Sequence, residues 1–468
     1  MRRLVVIVAT GLLVSGCMLR ISTDPFTNTT SQHRTQVEPD TFSFGSTVVA
    51  TFQSGRFFDG GASDIGWATS TDGGSHWTTG FLDGITKYQG AGPYDRASDP
   101  SVAYDARHGV WLIAALTLVD SVNPPAGRAV VVSRSTDGLN WGSTPTTVAT
   151  GTFVDKGWTV CDNSPTSAFY GHCYAEYDEV TAGDRLHMAT SVDGGLTWAQ
   201  ATVPAVSGLG GQPVVKPGGA VIVPYLTTGN AVAAIRSING GASYAGPVTV
   251  ATVARHPVAG NLRSDPLPTA EIDAAGRVYV AWADCRFRSG CAANDIVMST
   301  SLNGTSWSPV TRVPIDATTS TVDHFIPGLG VDKATSGSSA HLALAYYYYP
   351  NASCTSSNCQ LAVGFVSSTN GGTTWSSAQQ LAGPMSLSSL ASTNQGPMVG
   401  DYVSTSFSGG KAFPVVAVAN PPSNSTLDEA MYTVAGGVAV AGGTASGAGD
   451  QVVAAPVPHA ARSFMTRA

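Results

Sequence analysis

The 468-residue chain is poor in charge: only 12% of its residues are Asp, Glu, Lys or Arg. Its 24 Lys and Arg against 31 Asp and Glu give a formal net charge of −7, which excludes the basic surface of a nucleic-acid-binding protein. It shows no long amphipathic periodicity, which argues against a helical protein. The apolar run at residues 4–13 is too short to span a membrane in the mature protein.

What the chain has in abundance is turn residues, with 53 Gly and 27 Pro, and one phrase that occurs six times. The phrase reads Ser-x-Asp/Asn-Gly, followed three or four residues later by Trp or Tyr, and its copies lie 46 to 67 residues apart. The copies are residues 70–77, 135–141, 191–198, 237–244, 301–307 and 368–375.

The phrase has the chemistry of a hairpin turn. Asp or Asn followed by Gly supplies the positive φ angles of a tight turn, and the Asx side chain can accept hydrogen bonds from its own backbone. Each copy follows one short apolar run and precedes another. Strands and turns repeating at this period are typical of the blades of a β-propeller.

The phrase resembles the Asp-box of sialidases and of the wider family of sialidase-like repeat propellers. The resemblance implies an all-β propeller of four-stranded antiparallel blades, in which the boxes are structural turns on the blade periphery. Counting strand sets favours seven blades, the last without a box, and six blades with an irregular closing segment is the alternative. Residues 36–440 are the expected propeller.

The N-terminus reads as an export signal. Arg2 and Arg3 precede the apolar run, and residues 14–17 resemble a bacterial lipobox that would make Cys17 the lipidated N-terminus of a cell-envelope protein. Ordinary secretion is the alternative. Residues 18–35 are expected to be a tether, part of which supplies an outer strand to the last blade. The Gly/Ala-rich residues 441–468 are expected to be a disordered tail.

The cysteine count supports export. Seven cysteines are odd in number, but without Cys17 they form three local pairs. Although six cysteines allow fifteen pairings, the spacing favours disulfides between these neighbours, formed in an oxidising compartment. The expected pairs are Cys161/Cys173, Cys285/Cys291 and Cys354/Cys359. None has the spacing of a zinc site, so no metal or cofactor is expected.

Polar side chains gather in the loops that lead into the innermost strand of each blade. Several Arg residues can hold a carboxylate through charge-assisted bonds. By resemblance to sialidases, Arg96, Arg263 and Arg286 are the candidate arginine cluster. The candidate carboxylates are Asp99, Asp155 and Asp401, with Tyr402 and His324 as partners. The alternative is that each Asp pairs with an Arg of the neighbouring blade and closes the ring, and that His324 is a hydrogen-bonding wall residue.

The chain also departs from sialidases. The Arg-Ile-Pro-type motif of the first blade is absent, and the third blade brings Lys156 where an Arg is expected. The leading hypothesis is an exported propeller that engages a glycan or other acidic extracellular ligand at its central face, with exo-α-sialidase as the default activity. One alternative is a non-catalytic surface propeller that binds glycan or protein. Another is a different hydrolase or lyase assisted by a divalent ion.

Overall fold

A computed structural model describes residues 17–122 and 125–453. The expected signal segment, apart from Cys17, lies outside these residues, as does the last part of the expected tail. The described chain is all-β, and its only helices are single 3₁₀ turns. These are Val180–Ala182, Ala259–Asn261, Ser289–Cys291, Gly337–Ser339 and Leu387–Ser389.

The strands follow one another in antiparallel sets of four. The first half of the chain forms β1 (Met18–Arg20), β2 (Gln36–Phe44), β3 (Thr47–Arg56), β4 (Ala62–Ser70), β5 (Thr78–Phe81), β6 (Arg96–Asp105), β7 (Val110–Val119), β8 (Ala126–Ser135), β9 (Thr146–Thr150), β10 (Val154–Cys161), β11 (Cys173–Glu179), β12 (Arg185–Ser191), β13 (Ala199–Gln200), β14 (Gly208–Leu209), β15 (Val214–Val215), β16 (Val221–Thr227), β17 (Ala231–Ser237) and β18 (Ala245–Thr252). The second half forms β19 (Thr269–Ile272), β20 (Val278–Asp284), β21 (Asp295–Ser301), β22 (Thr311–Arg312), β23 (Asp323–Val331), β24 (Leu342–Tyr349), β25 (Gln360–Ser368), β26 (Gln379–Ser386), β27 (Ala391–Thr393), β28 (Gly396–Met398), β29 (Ser404–Ser408), β30 (Lys411–Ser423), β31 (Thr426–Val434) and β32 (Val438–Ala439).

Each set is a meander in which neighbours in sequence are neighbours in the sheet. The sets β10–β13, β19–β22 and β23–β26 are separate sheets, while β2–β5 and β6–β9 are joined by the single pair Ala62–Ala97. In the fourth set β14 and β15 both pair with β16. The last sheet has the order β29-β30-β31-β1, so its outer strand comes from the N-terminus of the chain.

The first strands of the sets lie side by side around one axis. β2 contacts β6, β6 contacts β10, β10 contacts β15, β15 contacts β19, and β19 contacts β23. β29 contacts both β23 and β2. This arrangement is that of a β-propeller, in which aliphatic and aromatic side chains are buried between successive sheets. Two such layers centre on Trp282 and on Trp111, both almost fully buried.

The six repeated phrases form the turns between the third and fourth strands of their sheets. In the copy at Asp193, the Ser191 hydroxyl donates to the Asp193 carboxylate at 2.9 Å and accepts from the Gly195 amide at 2.9 Å. The amides of Leu196 and Thr197 donate to the same carboxylate oxygen at 3.0 and 2.9 Å. Gly194 and Gly195 have φ of 72° and 81°, as the turn requires.

The segment expected to be a tether supplies the outer strand of the last sheet, as the sequence analysis expected of part of it, and is bound to the propeller from its first described residues. Strand β1 pairs with β31 over Met18–Arg20, and the Arg20 guanidinium lies 2.7 Å from the Asp428 carboxylate. Further on, the Thr35 amide donates to the Asp24 carboxylate at 3.2 Å. The segment carries enough backbone and side-chain partners to be ordered, although its composition is polar.

The described part of the expected tail is also ordered. The backbone of Ala445 bridges to Trp375, and the Arg312 guanidinium donates to the Asp450 carboxylate at 2.6 Å. The Val453 amide donates to the Arg286 carbonyl at 2.9 Å. Residues 441–453 therefore cross the outer edges of the two sheets β19–β22 and β23–β26, which offer the hydrogen-bond partners that a Gly/Ala-rich sequence cannot supply itself.

The three predicted disulfides are present. They join Cys161 to Cys173, Cys285 to Cys291, and Cys354 to Cys359. The first closes the turn between β10 and β11, and the other two lie in loops between the second and third strands of their sheets. Cys17 is the one free cysteine of the described chain.

In the described part of the chain, no helix has the length and apolar composition needed to cross a membrane.

Candidate functional site

A recurring β-bulge directs side chains toward the propeller axis. In β2, β6, β10 and β23 the pairing register shifts at one place, and the residue there has positive φ. These residues are Glu38 (φ 55°), Asp99 (φ 45°), Lys156 (φ 37°) and Ile326 (φ 49°). A bulge re-aims the side chain of its strand. The apolar residue Ile326 has the same backbone conformation, so the bulge does not depend on a charged side chain. It is a repeated feature of the fold, and in three of the strands it carries a charged residue.

Three of these bulge residues meet Asp401 and Arg263 in a buried group that we call the central ion cluster (Glu38, Asp99, Lys156, Arg263 and Asp401). The Lys156 ammonium donates to Asp99 and Asp401, both at 2.6 Å, and to Glu38 at 3.3 Å. All five side chains are at most 5% exposed. Charges this deeply buried are tolerated because each has an opposite partner.

Arg263 holds Asp401 in a bidentate pair. Its Nε donates to Asp401 Oδ1 at 2.6 Å and its Nη2 donates to Oδ2 at 2.5 Å. The remaining Nη1 is buried and has no hydrogen-bond partner among the described residues. The sequence suggested that each Asp pairs with an Arg of the neighbouring blade, but Arg263 precedes β19 and Asp401 precedes β29, so this pair joins two sheets with β23–β26 between them.

The buried carboxyls in and beside the cluster have pKa values shifted in opposite directions. Burial works against the charge of Asp401, but Arg263 and Lys156 hold its pKa well below the usual range. Burial raises the pKa of Glu38 to about 7, with Lys156 opposing the rise. Burial likewise raises the pKa of Asp155 to about 7, and the charge of Asp99 adds to the rise. Burial opposes the charge of Lys156 too, yet Asp401, Asp99 and Glu38 raise its pKa well above the usual value.

Tyr402 and Trp158 lie beside the cluster. Their rings meet edge to face with centroids 5.1 Å apart, and the Lys156 ammonium is 5.7 Å from the centroid of the Tyr402 ring. The Tyr402 hydroxyl donates to the Pro100 carbonyl at 3.1 Å. Burial, with the nearby charge of Glu38, raises the pKa of Tyr402 well above 10, so this phenol is not prepared as a nucleophile.

A narrow cavity of about 20 Å³, lined by Lys156, Trp158, Glu176, Asp401 and Tyr402 among others, lies next to the cluster. This volume suits a single water molecule. Glu176 is fully buried, and burial raises its pKa well above the usual range, with the Gly211 backbone amide opposing the rise. Burial therefore favours the neutral form of this carboxyl group.

The face on which the innermost strands begin, which we call the start face, is covered at the cluster. The hairpin of β27 and β28 reaches over it, because the Asn394 amide donates to the Phe58 carbonyl at 2.9 Å and the Arg263 amide donates to the Pro397 carbonyl at 2.9 Å. The sequence predicted an open site on this face. The β27–β28 hairpin follows the last sheet that contains the repeated turn. Because the hairpin has no repeated motif of its own, the sequence did not predict that it covers the cluster.

The open cavity lies at the opposite end of the axis, where the innermost strands finish. We call it the vestibule; its volume is about 500 Å³, and its walls are formed by the ends of β2, β10, β15, β19, β23 and β29. Trp158 and Gln212 line both the vestibule and the narrow cavity, so the two cavities adjoin at these residues. A volume of this size is in the range of small-molecule binding sites.

The structure brings together five of the predicted site residues and leaves three apart. Asp99, Asp401 and Arg263 belong to the central ion cluster, and Asp155 and Tyr402 lie beside it. Arg96, Arg286 and His324 have other partners.

Two of these three are arginines paired with other carboxylates. Arg96 donates to Asp59 at 2.5 Å and to Asp120 at 2.6 Å, with its guanidinium 4.0 Å from the Phe57 ring centroid. Arg286 donates to both oxygens of Asp284, at 2.9 and 2.7 Å. The predicted trio of arginines around one carboxylate ligand is therefore not assembled in this arrangement.

His324 is a buried wall residue. Its Nδ1 lies 3.2 Å from the Asn294 carbonyl oxygen, and its ring meets the Tyr346 ring edge to face at 5.4 Å. Burial lowers its pKa to about 4, so it is neutral at physiological pH. Three of the four tyrosines of β24, Tyr346, Tyr347 and Tyr349, are buried, and Tyr348 is partly exposed.

One group among the described residues has the donor atoms for a metal ion: Asp295, Asp316 and His324. Its carboxylates already have cationic partners, because Arg288 donates to both aspartates at 2.6 Å. Arg312 lies 3.5 Å from Asp295. Two guanidinium groups occupy the positions that a divalent ion would need, so these residues do not fit a metal site.

Sequence reasoning missed the central roles of Glu38, Lys156 and Glu176. A signal was present for the first two: Glu38-Pro39 and Asp99-Pro100 occupy matching places in their repeats, and Lys156-Gly157 occupies the same place in the third. Glu176 lies on the second strand of its set and carries no comparable signal.

No family model matches the chain, and no curated protein matches it. Among solved structures it is similar to an ulvan lyase of polysaccharide lyase family PL25, determined with -[GlcA(1-4)Rha3S]- bound, with a TM-score of 0.52 and 12% identity over 90% of this chain and 97% of that chain. This likeness supports the fold alone.

Two further structures are similar at lower scores. The Trypanosoma rangeli sialidase with the inhibitor DANA has a TM-score of 0.46 and 12% identity, over 89% of this chain and 58% of that chain. A protein of unknown function from Dyadobacter fermentans DSM 18053 has a TM-score of 0.46 and 15% identity, over 74% of this chain and 98% of that chain.

Proposed function

We propose that the protein is an exported, seven-bladed propeller that binds a glycan in its central channel without cleaving it. The observation that carries the proposal is the vestibule of about 500 Å³ with Trp158 at its inner end. Aromatic surface next to a few fixed polar groups is the usual composition of a small-molecule site. The three disulfides support export, and Cys17 is proposed as the lipid attachment site.

Binding without cleavage is favoured because the charged groups of the central ion cluster are paired with one another. Lys156 is held by three carboxylates, and Arg263 is held by Asp401. A glycosidase needs a free carboxylate pair at the scissile bond, and a sialidase needs free arginines for the substrate carboxylate.

The test is titration of the purified protein with a panel of neutral and charged mono- and disaccharides, followed by calorimetry and by tryptophan fluorescence. We expect saturable binding that Trp158→Ala abolishes. Trp77→Ala is the matched control, since Trp77 is a partly buried tryptophan on the blade periphery. Absence of binding by folded protein across the panel would refute the proposal.

A glycoside hydrolase or lyase is the second candidate, favoured by the pKa values of Glu38 and Asp155, both raised by burial to about 7. A carboxyl with a pKa near the working pH can serve as a general acid. In this candidate Asp99, Asp155, Asp401 and Tyr402 are the catalytic residues. Turnover of a fluorogenic sialoside or another glycoside that Asp155→Asn abolishes would replace the binding-only proposal.

A further inference from the structure

The vestibule carries a strongly one-sided charge. Its lining includes five carboxyl side chains and one ammonium group. The carboxyls belong to Asp40, Asp162, Glu271, Asp273 and Asp332, and the ammonium belongs to Lys333. A cavity lined by charge of one sign concentrates ligands of the other sign. The acidic ligand expected from the arginine-rich loops would meet repulsion here.

The walls also contain aromatic rings, and one of them already attracts a cation. The Lys333 ammonium lies 4.4 Å from the centroid of the Phe42 ring. Phe44, Trp158 and Phe407 line the same cavity, and Phe44 is 45% exposed. An ammonium group over an aromatic face is stabilised by the quadrupole of the ring, and more strongly where water is excluded. Lys333 thus occupies the kind of position that a cationic ligand would take.

Two carboxyl side chains from different strands line the vestibule and interact electrostatically. Asp40 lies on β2 and Glu271 on β19, and the charge of Glu271 adds to the burial that raises the pKa of Asp40 to about 7. Burial also raises the pKa of Glu271, while Lys333 opposes that rise. Two carboxyls that repel one another gain free energy when a cation is placed between them. A cation bound at these carboxyls is stabilised further by an aromatic ring beside it, and Phe42 provides that ring.

We propose that the vestibule selects sugars that carry a protonated amine. This inference rests on the proposed glycan binding and names the chemical class of the bound sugar. Glu271 and Asp40 receive the ammonium group, the aromatic walls receive the ring of the sugar, and Lys333 competes with the ligand for the same positions.

The test compares three hexoses of nearly equal size: glucosamine, glucose and glucuronic acid, titrated at neutral pH and low ionic strength into the whole protein. We expect glucosamine to bind roughly tenfold more tightly than glucose, because one close opposite charge at a partly buried site is worth about that factor. Glucuronic acid is expected to bind most weakly of the three.

Two variants of the vestibule then test the sign of the charge effect. Glu271→Gln keeps the shape of the side chain and is expected to lower the affinity for glucosamine roughly tenfold relative to the affinity for glucose. Lys333→Met removes the competing ammonium, and glucosamine affinity is expected to rise while glucuronic acid affinity falls. Thermal unfolding of each variant, compared with the wild-type protein, establishes that the fold is retained.

The outcomes separate the two proposals. Equal affinity for glucosamine and glucose, or a fall in glucosamine affinity in Lys333→Met, overturns the amine selectivity and leaves glycan binding standing. Failure of all three hexoses and of the wider saccharide panel overturns both. A preference for glucuronic acid overturns the selectivity and restores the acidic ligand as the hypothesis.

Discussion

The ammonium group of Lys156 lies 2.6 Å from the carboxylate of Asp401, a residue 245 positions further along the chain. The same ammonium contacts Asp99 and Glu38, so one side chain connects the third blade with the first, the second and the last. Closing a propeller brings the two ends of the chain together, and this contact does so at the axis. The central ion cluster therefore has a structural role whatever ligand the channel binds.

Lys156→Met should destabilise the protein by about 3–5 kcal/mol, because three buried carboxylates lose their shared cation. The matched control is Lys87→Met, which removes a half-exposed ammonium 2.7 Å from Asp95 and should cost less than about 1 kcal/mol. Chemical denaturation of the two variants measures both values. Equal costs would show that the central cluster contributes no more than a surface pair.

Asp193→Ala should cost about 1–2 kcal/mol, because two backbone amides and the Thr197 hydroxyl lose their acceptor. Asp193→Asn should stay within about 0.5 kcal/mol of the wild-type protein. The chain itself contains the precedent, since Asn370 accepts the Thr374 amide at 2.9 Å and donates to the Thr374 hydroxyl at 2.8 Å. Urea unfolding curves measure the free energy of unfolding of both variants. A large loss of stability in Asp193→Asn would show that the negative charge is required and that the turn geometry alone is not enough.

Asp323→Asn should change how stability depends on pH. Burial raises the pKa of Asp323 to about 7, so in the folded protein this carboxyl stays protonated while in the unfolded chain it ionises near pH 4. The contribution of protonated Asp323 to the free energy of unfolding is complete below pH 4 and is lost as the pH rises to about 7.

The free energy of unfolding of wild type relative to Asp323→Asn should therefore fall by about 3 kcal/mol between pH 4.5 and pH 7.5. Denaturant titrations of both proteins at a series of pH values measure this difference. The Asn294 amide, which donates to Asp323 at 2.7 Å, keeps an acceptor in the variant. A difference that does not vary with pH would mean that Asp323 is ionised in the folded state.

Replacing Cys161 and Cys173 by Ser should cost about 2–3 kcal/mol, because the disulfide closes a segment with a sequence separation of 12. The same double replacement of Cys354 and Cys359, with a separation of 5, should cost less because the constrained loop is shorter. Melting temperatures of the two variants give the order. The reverse order would show that loop entropy is not the main contribution of these bridges.

The sequence predicted the fold from local chemistry that is repeated. Each Asx-Gly turn defines its own strand pair, so the copies at Asp72 and Asp193 could be identified without knowledge of distant contacts. The pairing of neighbouring cysteines was predictable for the same reason, since short separations leave few geometric choices.

The site was less predictable because it depends on contacts between distant parts of the chain. Asp401 and Arg263 were identified as polar residues near innermost strands, yet their mutual pairing depends on how the ends of the ring meet. Arg96 and Arg286 looked equivalent to Arg263 in sequence, but Arg96 pairs with Asp59 of another loop and Arg286 pairs with Asp284, two residues away. The vestibule arises from the finishing ends of strands, which carry no common motif.

Strand β1 begins one residue after Cys17, and the Ala435 amide donates to the Cys17 carbonyl at 3.1 Å. If Cys17 carries a lipid, as proposed, no flexible spacer separates the membrane surface from the last sheet. The propeller would then be mounted at a fixed tilt with restricted rotation, and the ligands it reaches would be those presented at one set height above the bilayer.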